Sequence, residues 1–225
     1  MKLHSTIARW HVWLGWLLAI PFLLWTASGL VMVARPIEEV RGEALRAEAP
    51  PVATDKLARP PVQGAIKTMR LVHVGARDQW VVESGTHFAR YDAKDGSVIA
   101  PVTAAEARRL ADAHYRPTSP VTATRAFAAD AAPLDLRKNR PSWQVTFADG
   151  THVYIDAESG ETLALRTRQW RLFDFFWGLH IMDPQTREDT SHPLLIVSAA
   201  LGFVSVVIGT IMLFTRRKRR LKARA

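Results

Sequence analysis

The chain has 225 residues, no cysteine and a formal charge of +9. The missing cysteine excludes disulfides, thiolate-bound metals, thiol nucleophiles and covalent c-type haem attachment. The charge does not argue for nucleic acid. Arg216, Arg217, Lys218, Arg219, Arg220, Lys222 and Arg224 crowd one end, Lys2 and Arg9 the other, and acids and bases balance between them; such an excess marks membrane flanks.

Residues 1–35 read as an N-terminal transmembrane helix. Trp10 to Ala34 contains no Asp, Glu, Lys or Arg, which is long enough to cross a bilayer core. His11 lies near its start between Trp10 and Trp13. At helical spacing His11, Gly15, Ala19, Phe22, Thr26 and Gly29 share one face. A face of small residues admits close approach of another helix or of a flat cofactor. Helix packing with an interfacial histidine accounts for the same pattern. Pro21 adds a mild kink. The run exceeds a signal-peptide core, so it reads as a retained anchor.

Residues 36–61 read as a linker. Glu38 to Glu48 extends the first helix, and Pro50-Pro51 and Pro60-Pro61 break it. Residues 62–166 carry an internal repeat. Gly85-Thr86-His87 and Asp92-Ala93-Lys94-Asp95-Gly96 match Gly150-Thr151-His152 and Asp156-Ala157-Glu158-Ser159-Gly160. Each copy follows a strand that opens on a tryptophan, Trp80 or Trp143, so each is an antiparallel meander. Helices are predicted before each meander, over 62–69 and 121–131, and after the first, over 104–115, where Thr103-x-x-Glu106 is a capping box. Trp80 and Trp143 are predicted core anchors. His87 and His152 are predicted on equivalent exposed strand positions rather than as a metal pair.

Residues 167–191 form an aromatic interfacial segment, with Trp170, Phe173, Phe175, Phe176 and Trp177 ahead of His180. Residues 192–215 are the second transmembrane helix, opened by His192-Pro193. Its stripe Ser198, Gly202, Ser205 and Gly209 is a helix-contact pattern. Residues 216–225 are a basic tail. The fold class is therefore an α+β membrane protein: two transmembrane helices flanking a domain of two helix-plus-meander repeats. No hydrolase elbow and no zinc motif is present.

His11-x-x-x-Gly15, Ser28-Gly29, the two Asp-Ala-x-x-Gly turns and Trp177-Gly178-Leu179-His180 before a span ending in Arg-Arg together resemble the PepSY-associated transmembrane family, over nearly the whole chain. The resemblance implies PepSY-like repeats and b-type haem held by histidines among membrane helices, as in ferric-siderophore reductases. By position, His11 and His180 are the implied iron ligands, with Gly15 and Gly178 as close-approach positions and His4 or His192 as added ligands. Two spans stand here where the well-known reductases have four, and the chain has no flavin-attachment or nucleotide motif. His11 and His180 belong to opposite membrane faces, so a homodimer or larger complex is expected to complete each site. The implied function is inner-membrane electron transfer supporting reduction of ferric iron or a ferric siderophore. The alternatives are a tethered, non-enzymatic module that binds or restrains a periplasmic partner, and an accessory subunit of an uptake system. The expected neighbours are the lipid bilayer and a siderophore substrate, not nucleic acid.

The basic flanks predict both termini in the cytoplasm and residues 36–190 in the periplasm. A reporter fused after Ala225 is expected to be active only in the cytoplasm; activity only in the periplasm contradicts this topology.

Overall fold

The computed structural model describes residues 2–222 except Ala53 and Asp55, and side chains between residues 5 and 215. The side chains of His4 and of the basic tail lie outside the described residues. The chain divides into two compact units, residues 1–35 with 172–225, and residues 36–171.

In the first unit α1 (Lys2–Val33) is unbroken through Pro21. It ends before Pro36, and the extension expected over 38–48 is only α2 (Ile37–Arg41), a short helix of the second unit. Gly42 stops α2 in the left-handed conformation at φ 64°, which a residue with Cβ adopts only at a cost. The apolar stretches Ser5–Val33 and Pro193–Thr215 are each long enough to cross a membrane.

The second unit holds two four-stranded antiparallel meanders. The first is β1 (Thr68–Val74), β2 (Arg77–Ser84), β3 (His87–Asp92) and β4 (Val98–Ile99), paired in that order. Helix α3 (Ala104–His114) follows, capped by Thr103, whose hydroxyl accepts from the Glu106 amide. The second meander is β5 (Val121–Phe127), β6 (Ser142–Phe147), β7 (His152–Asp156) and β8 (Thr162–Arg166). The α+β class and the repeated meander match expectation. The helices expected over 62–69 and 121–131 do not: residues 62–67 form no helix or strand and β1 begins at Thr68, while β5 and a short 3-10 turn over Ala129–Ala131 occupy the second stretch. Thr68, Val72 and Val74, and Val121, Thr122 and Thr124, are β-branched residues that favour a pleated strand. Helix α4 (Arg168–His180) then leaves this unit for the first, and α5 (Pro193–Lys222) closes the chain.

The main core lies under α3. Ala107 and Ala111 pack on Val145, Phe147, Val153 and Leu165 of the second sheet, with the Tyr115 ring tilted against Phe147 at 4.6 Å between centroids. Trp80 and Trp143 sit half-buried at matching places. Each donates its indole N–H to a backbone carbonyl, Trp80 to Ala58 at 2.9 Å and Trp143 to Val102 at 2.8 Å. The histidines are not matched. His87 is exposed beside Glu158, whereas His152 is bound to Asp135 at 3.2 Å.

Arg90 of β3 joins the repeats. Its side chain is 2% exposed, forms a bidentate pair with Glu106 of α3 at 2.9 and 3.0 Å, and donates from Nε to the Ala100 carbonyl at 2.9 Å. Burial pushes the Glu106 carboxyl up, but the hydrogen bonds and charge of Arg90 outweigh it and hold the group below its ordinary range. Arg90→Ala leaves Glu106 and the Ala100 carbonyl without their partner. Loss of one member of a buried pair costs roughly 3–5 kcal/mol. Arg90→Ala is therefore expected to lower the melting temperature of the full chain clearly, and addition of Glu106→Gln is expected to recover part of the loss; two additive losses contradict a coupled pair.

Candidate functional site

Helices α1 and α5 run antiparallel against each other. Their seam is set by small residues. A Cβ on Gly202 would lie 2.7 Å from Phe22 Cζ, and one on Gly209 would lie 3.0 Å from His11 Cε1. Ser198 and Ser205 of the same stripe are buried. The stripe of α5 thus faces α1, and Phe22 and His11 fill the space that its glycines leave. In hydrocarbon such packing replaces the hydrophobic drive that water supplies elsewhere.

His11 enters this seam next to α5. Its Nδ1 lies 3.3 Å from Ser205 Oγ. Beside it is a cavity of about 360 Å³ lined by Ala8, Val12, Gly209, Met212 and Leu213. Gly15 takes no part, since its Cα faces open space. Gly209 is the residue against the imidazole.

His180 is the last residue of α4 and packs on α1. Its Nδ1 lies 3.0 Å from Ser28 Oγ, and its Cε1 would stand 3.6 Å from a Cβ on Gly29. The Trp25 indole N–H donates to the His180 carbonyl at 2.6 Å and its ring tilts against the imidazole at 6.1 Å. The loop after α4 is folded back on that helix. Arg187 donates to buried Asp174 at 2.8 Å, its carbonyl accepts from Trp177 Nε1 at 3.0 Å, and its side chain covers Gly178, where a Cβ would meet Arg187 Cγ at 2.7 Å. Gly178 therefore admits Arg187 rather than a ligand. Asp183 accepts from Thr186 through both backbone and hydroxyl, and from the amides of Glu188 and Asp189, which holds its carboxyl far below the ordinary range. His192 opens α5: its carbonyl accepts from the amides of Leu195 and Ile196, while its buried Nδ1 makes no hydrogen bond.

His11 and Ser28, the neighbour of His180, are separated along α1 by a distance of about 25 Å at 1.5 Å rise per residue. The two membrane histidines thus occupy separate levels and do not converge on one point. Among the described residues no group of three or more His, Asp or Glu side chains could hold a metal ion. One chain offers a b-type haem a single imidazole at each level. That fits the group only as half of an axial pair. Open apolar space adjoins the His11 level, in the cavity lined by Val12, Met212 and Leu213, whereas Gly209 and Gly29 are already covered by the two imidazoles themselves. Gly209, Ser205, Trp25 and Ser28 were legible as a stripe or as membrane residues, but no sequence signal assigned each to its histidine.

The second unit holds a separate polar cluster. Buried Tyr154 donates to Asp135 at 2.6 Å, Gln144 donates to the Tyr154 oxygen, and His152 lies on the other Asp135 oxygen. Burial raises Asp135, yet these bonds hold it below its ordinary range, while burial and Asp135 push Tyr154 well up. A groove of about 460 Å³ lies between Pro50, α3 and the β1 end, lined by Val72, His73, Leu110, His114 and Glu161. Burial, then the Arg46 charge, lowers His114.

A family model described as PepSY-associated TM region matches residues 8–225. No curated protein matches the chain, and no solved structure does.

Filling the space at Gly202 forces Phe22 or the helices apart, and overpacking of this kind costs roughly 1–3 kcal/mol. Gly202→Ala is therefore expected to destabilise the folded chain in detergent, while Gly15→Ala is expected to be neutral or slightly stabilising. The reverse order in thermal melts contradicts the observed seam.

Proposed function

The chain belongs to the PepSY-associated transmembrane family, a family of membrane proteins, and from that premise we propose that it is a haem-binding electron-transfer protein of the bacterial inner membrane. The observation that carries this reading is the pair of half-buried imidazoles at two levels of the membrane unit, each with Nδ1 beside a serine hydroxyl at 3.0 or 3.3 Å. A hydrogen bond at one ring nitrogen orients the other, which is how histidine ligands to metals are held in place. Both histidines lie in a two-helix setting that needs a second copy to supply the opposite ligand.

In this reading a homodimer places two His11 imidazoles at one level and two His180 imidazoles at the other. Bound b-type haem supplies one-electron chemistry at each level. The chain's own residues do the rest. Ser205 and Ser28 orient the imidazoles, Gly209 and Gly29 admit close approach, and Trp25 fixes the end of α4. Both termini are cytoplasmic and the meander unit is periplasmic, so electrons move outward to a ferric chelate. His192, whose buried Nδ1 makes no hydrogen bond among the described residues, is a reserve ligand by type.

The test is the reduced-minus-oxidised absorption spectrum of the full chain purified from haem-replete cells. A b-type spectrum is expected, with His11→Ala and His180→Ala each removing one component. A protein without a Soret band, or spectra unchanged in both variants, overturns the assignment and leaves a tethered periplasmic binding module as the better account.

A further inference from the structure

The hydrogen bonds around Ser28 set the state of His180. A serine hydroxyl carries one proton. Ser28 Oγ lies 2.6 Å from the Leu24 carbonyl and 3.1 Å from the Trp25 carbonyl, as well as 3.0 Å from His180 Nδ1. Both carbonyls can only accept. The hydroxyl proton therefore goes back onto the α1 backbone, the arrangement common for serine within a membrane helix. Towards His180 only a lone pair of Oγ remains. A hydrogen bond at 3.0 Å then requires the proton to sit on Nδ1 of the imidazole. Ser28 is 1% exposed, so no water competes for this oxygen at ordinary cost.

We propose that Ser28 is a positioning residue that fixes His180 as its Nδ1–H tautomer and so leaves Nε2 as the one lone pair this imidazole presents. The Ser28 contact is what sets the ring; its other neighbours bear on the backbone of His180 and on Cε1. Trp25 Nε1 holds the His180 carbonyl at 2.6 Å, and Gly29 stands behind Cε1. A neutral imidazole with Nε2 bare is the form that binds a metal ion or a haem iron. His11 is different. Ser205 Oγ is 3.3 Å from its Nδ1, and among the described residues no backbone carbonyl takes the Ser205 hydroxyl, so Ser205 can donate or accept and either tautomer is open. The two membrane histidines are thus chemically unequal: His180 is preset as an Nε2 ligand and His11 is not. The link to iron rests on the haem reading above; the tautomer itself does not.

The test is nitrogen NMR of the full chain, free of haem, labelled with 15N-histidine and reconstituted in phosphatidylcholine nanodiscs. His180→Gln identifies the His180 signals by difference. The expected result for the native chain is a single tautomer, with Nδ1 in the protonated range and Nε2 in the unprotonated range. Ser28→Ala is expected to shift both signals towards a tautomer mixture. Ser28→Thr, which keeps a hydroxyl able to bond the backbone, is expected to restore the native pattern. Trp25→Phe, which removes a contact to the same residue without touching Nδ1, is expected to leave the tautomer in place. A native His180 protonated on Nε2, or a pattern unmoved by Ser28→Ala, overturns the proposal. If the tautomer is as stated and added haemin gives no low-spin spectrum, the haem reading fails and the role of Ser28 stands. If haem binds through His180 while Ser28→Ala changes nothing, the reverse holds.

Discussion

The membrane unit depends on one constraint: two helices in hydrocarbon must find their attraction in close packing and hydrogen bonds, because lipid offers no hydrophobic gain for their association. Gly202 and Gly209 let α5 come near enough for Phe22 and His11 to fill the seam. Ser28 and Ser205 then satisfy polar ring atoms that lipid would leave bare. A histidine within such a seam is expensive unless its nitrogens are matched. The serines therefore serve structure and chemistry together, and at His180 the bond that makes the imidazole tolerable also decides which nitrogen is presented.

The second unit follows another rule. Its two meanders are too small to hold a core each, and α3 covers the second sheet rather than the one that precedes it. The first sheet is held through polar links. Arg90 reaches Glu106, and Arg70 forms a bidentate pair with Glu161 at 2.9 and 3.0 Å. Gln79 donates to the Ser159 carbonyl at 2.6 Å from a buried position. The duplication visible in sequence has thus become an asymmetric pair: one sheet lies under α3 with the larger apolar core, and the other adds charged pairs and buried hydrogen bonds to its buried Val74, Val81 and Val82.

Much of this was legible from residue patterns. The spans, the meanders, the α3 cap at Thr103 and the contact stripe Ser198 to Gly209 follow from period, turn and cap chemistry. The strands β1 and β5 were not, because alanine and valine-threonine runs of that length carry weak and opposed propensities, and pairing with β2 and β6 decides them. Gly15 follows His11 by four residues on one helix face and Gly178 precedes His180 by two, yet spacing within one helix says nothing about which partner lies opposite. Gly15 faces open space and Gly178 lies under Arg187. The pairing of His11 with Ser205 and Gly209, and of His180 with Ser28 and Gly29, depends on the antiparallel register of α1 with α5 and on where α4 ends, which are tertiary quantities. His87 and His152 show the same limit. Equivalent places in a repeat gave one exposed ring and one held by Asp135, because the loop that carries Asp135 has no counterpart in the first copy.

The central proposal is that two copies of the chain would bring paired His11 imidazoles to one level and paired His180 imidazoles to the other, where they would hold haem. Native mass spectrometry of the full chain, released from membranes of haem-replete cells, tests it most directly. The account predicts a dimer that retains one non-covalent haem per chain, and loss of haem whenever the dimer dissociates. A monomer that keeps haem, or a dimer that carries none, contradicts it.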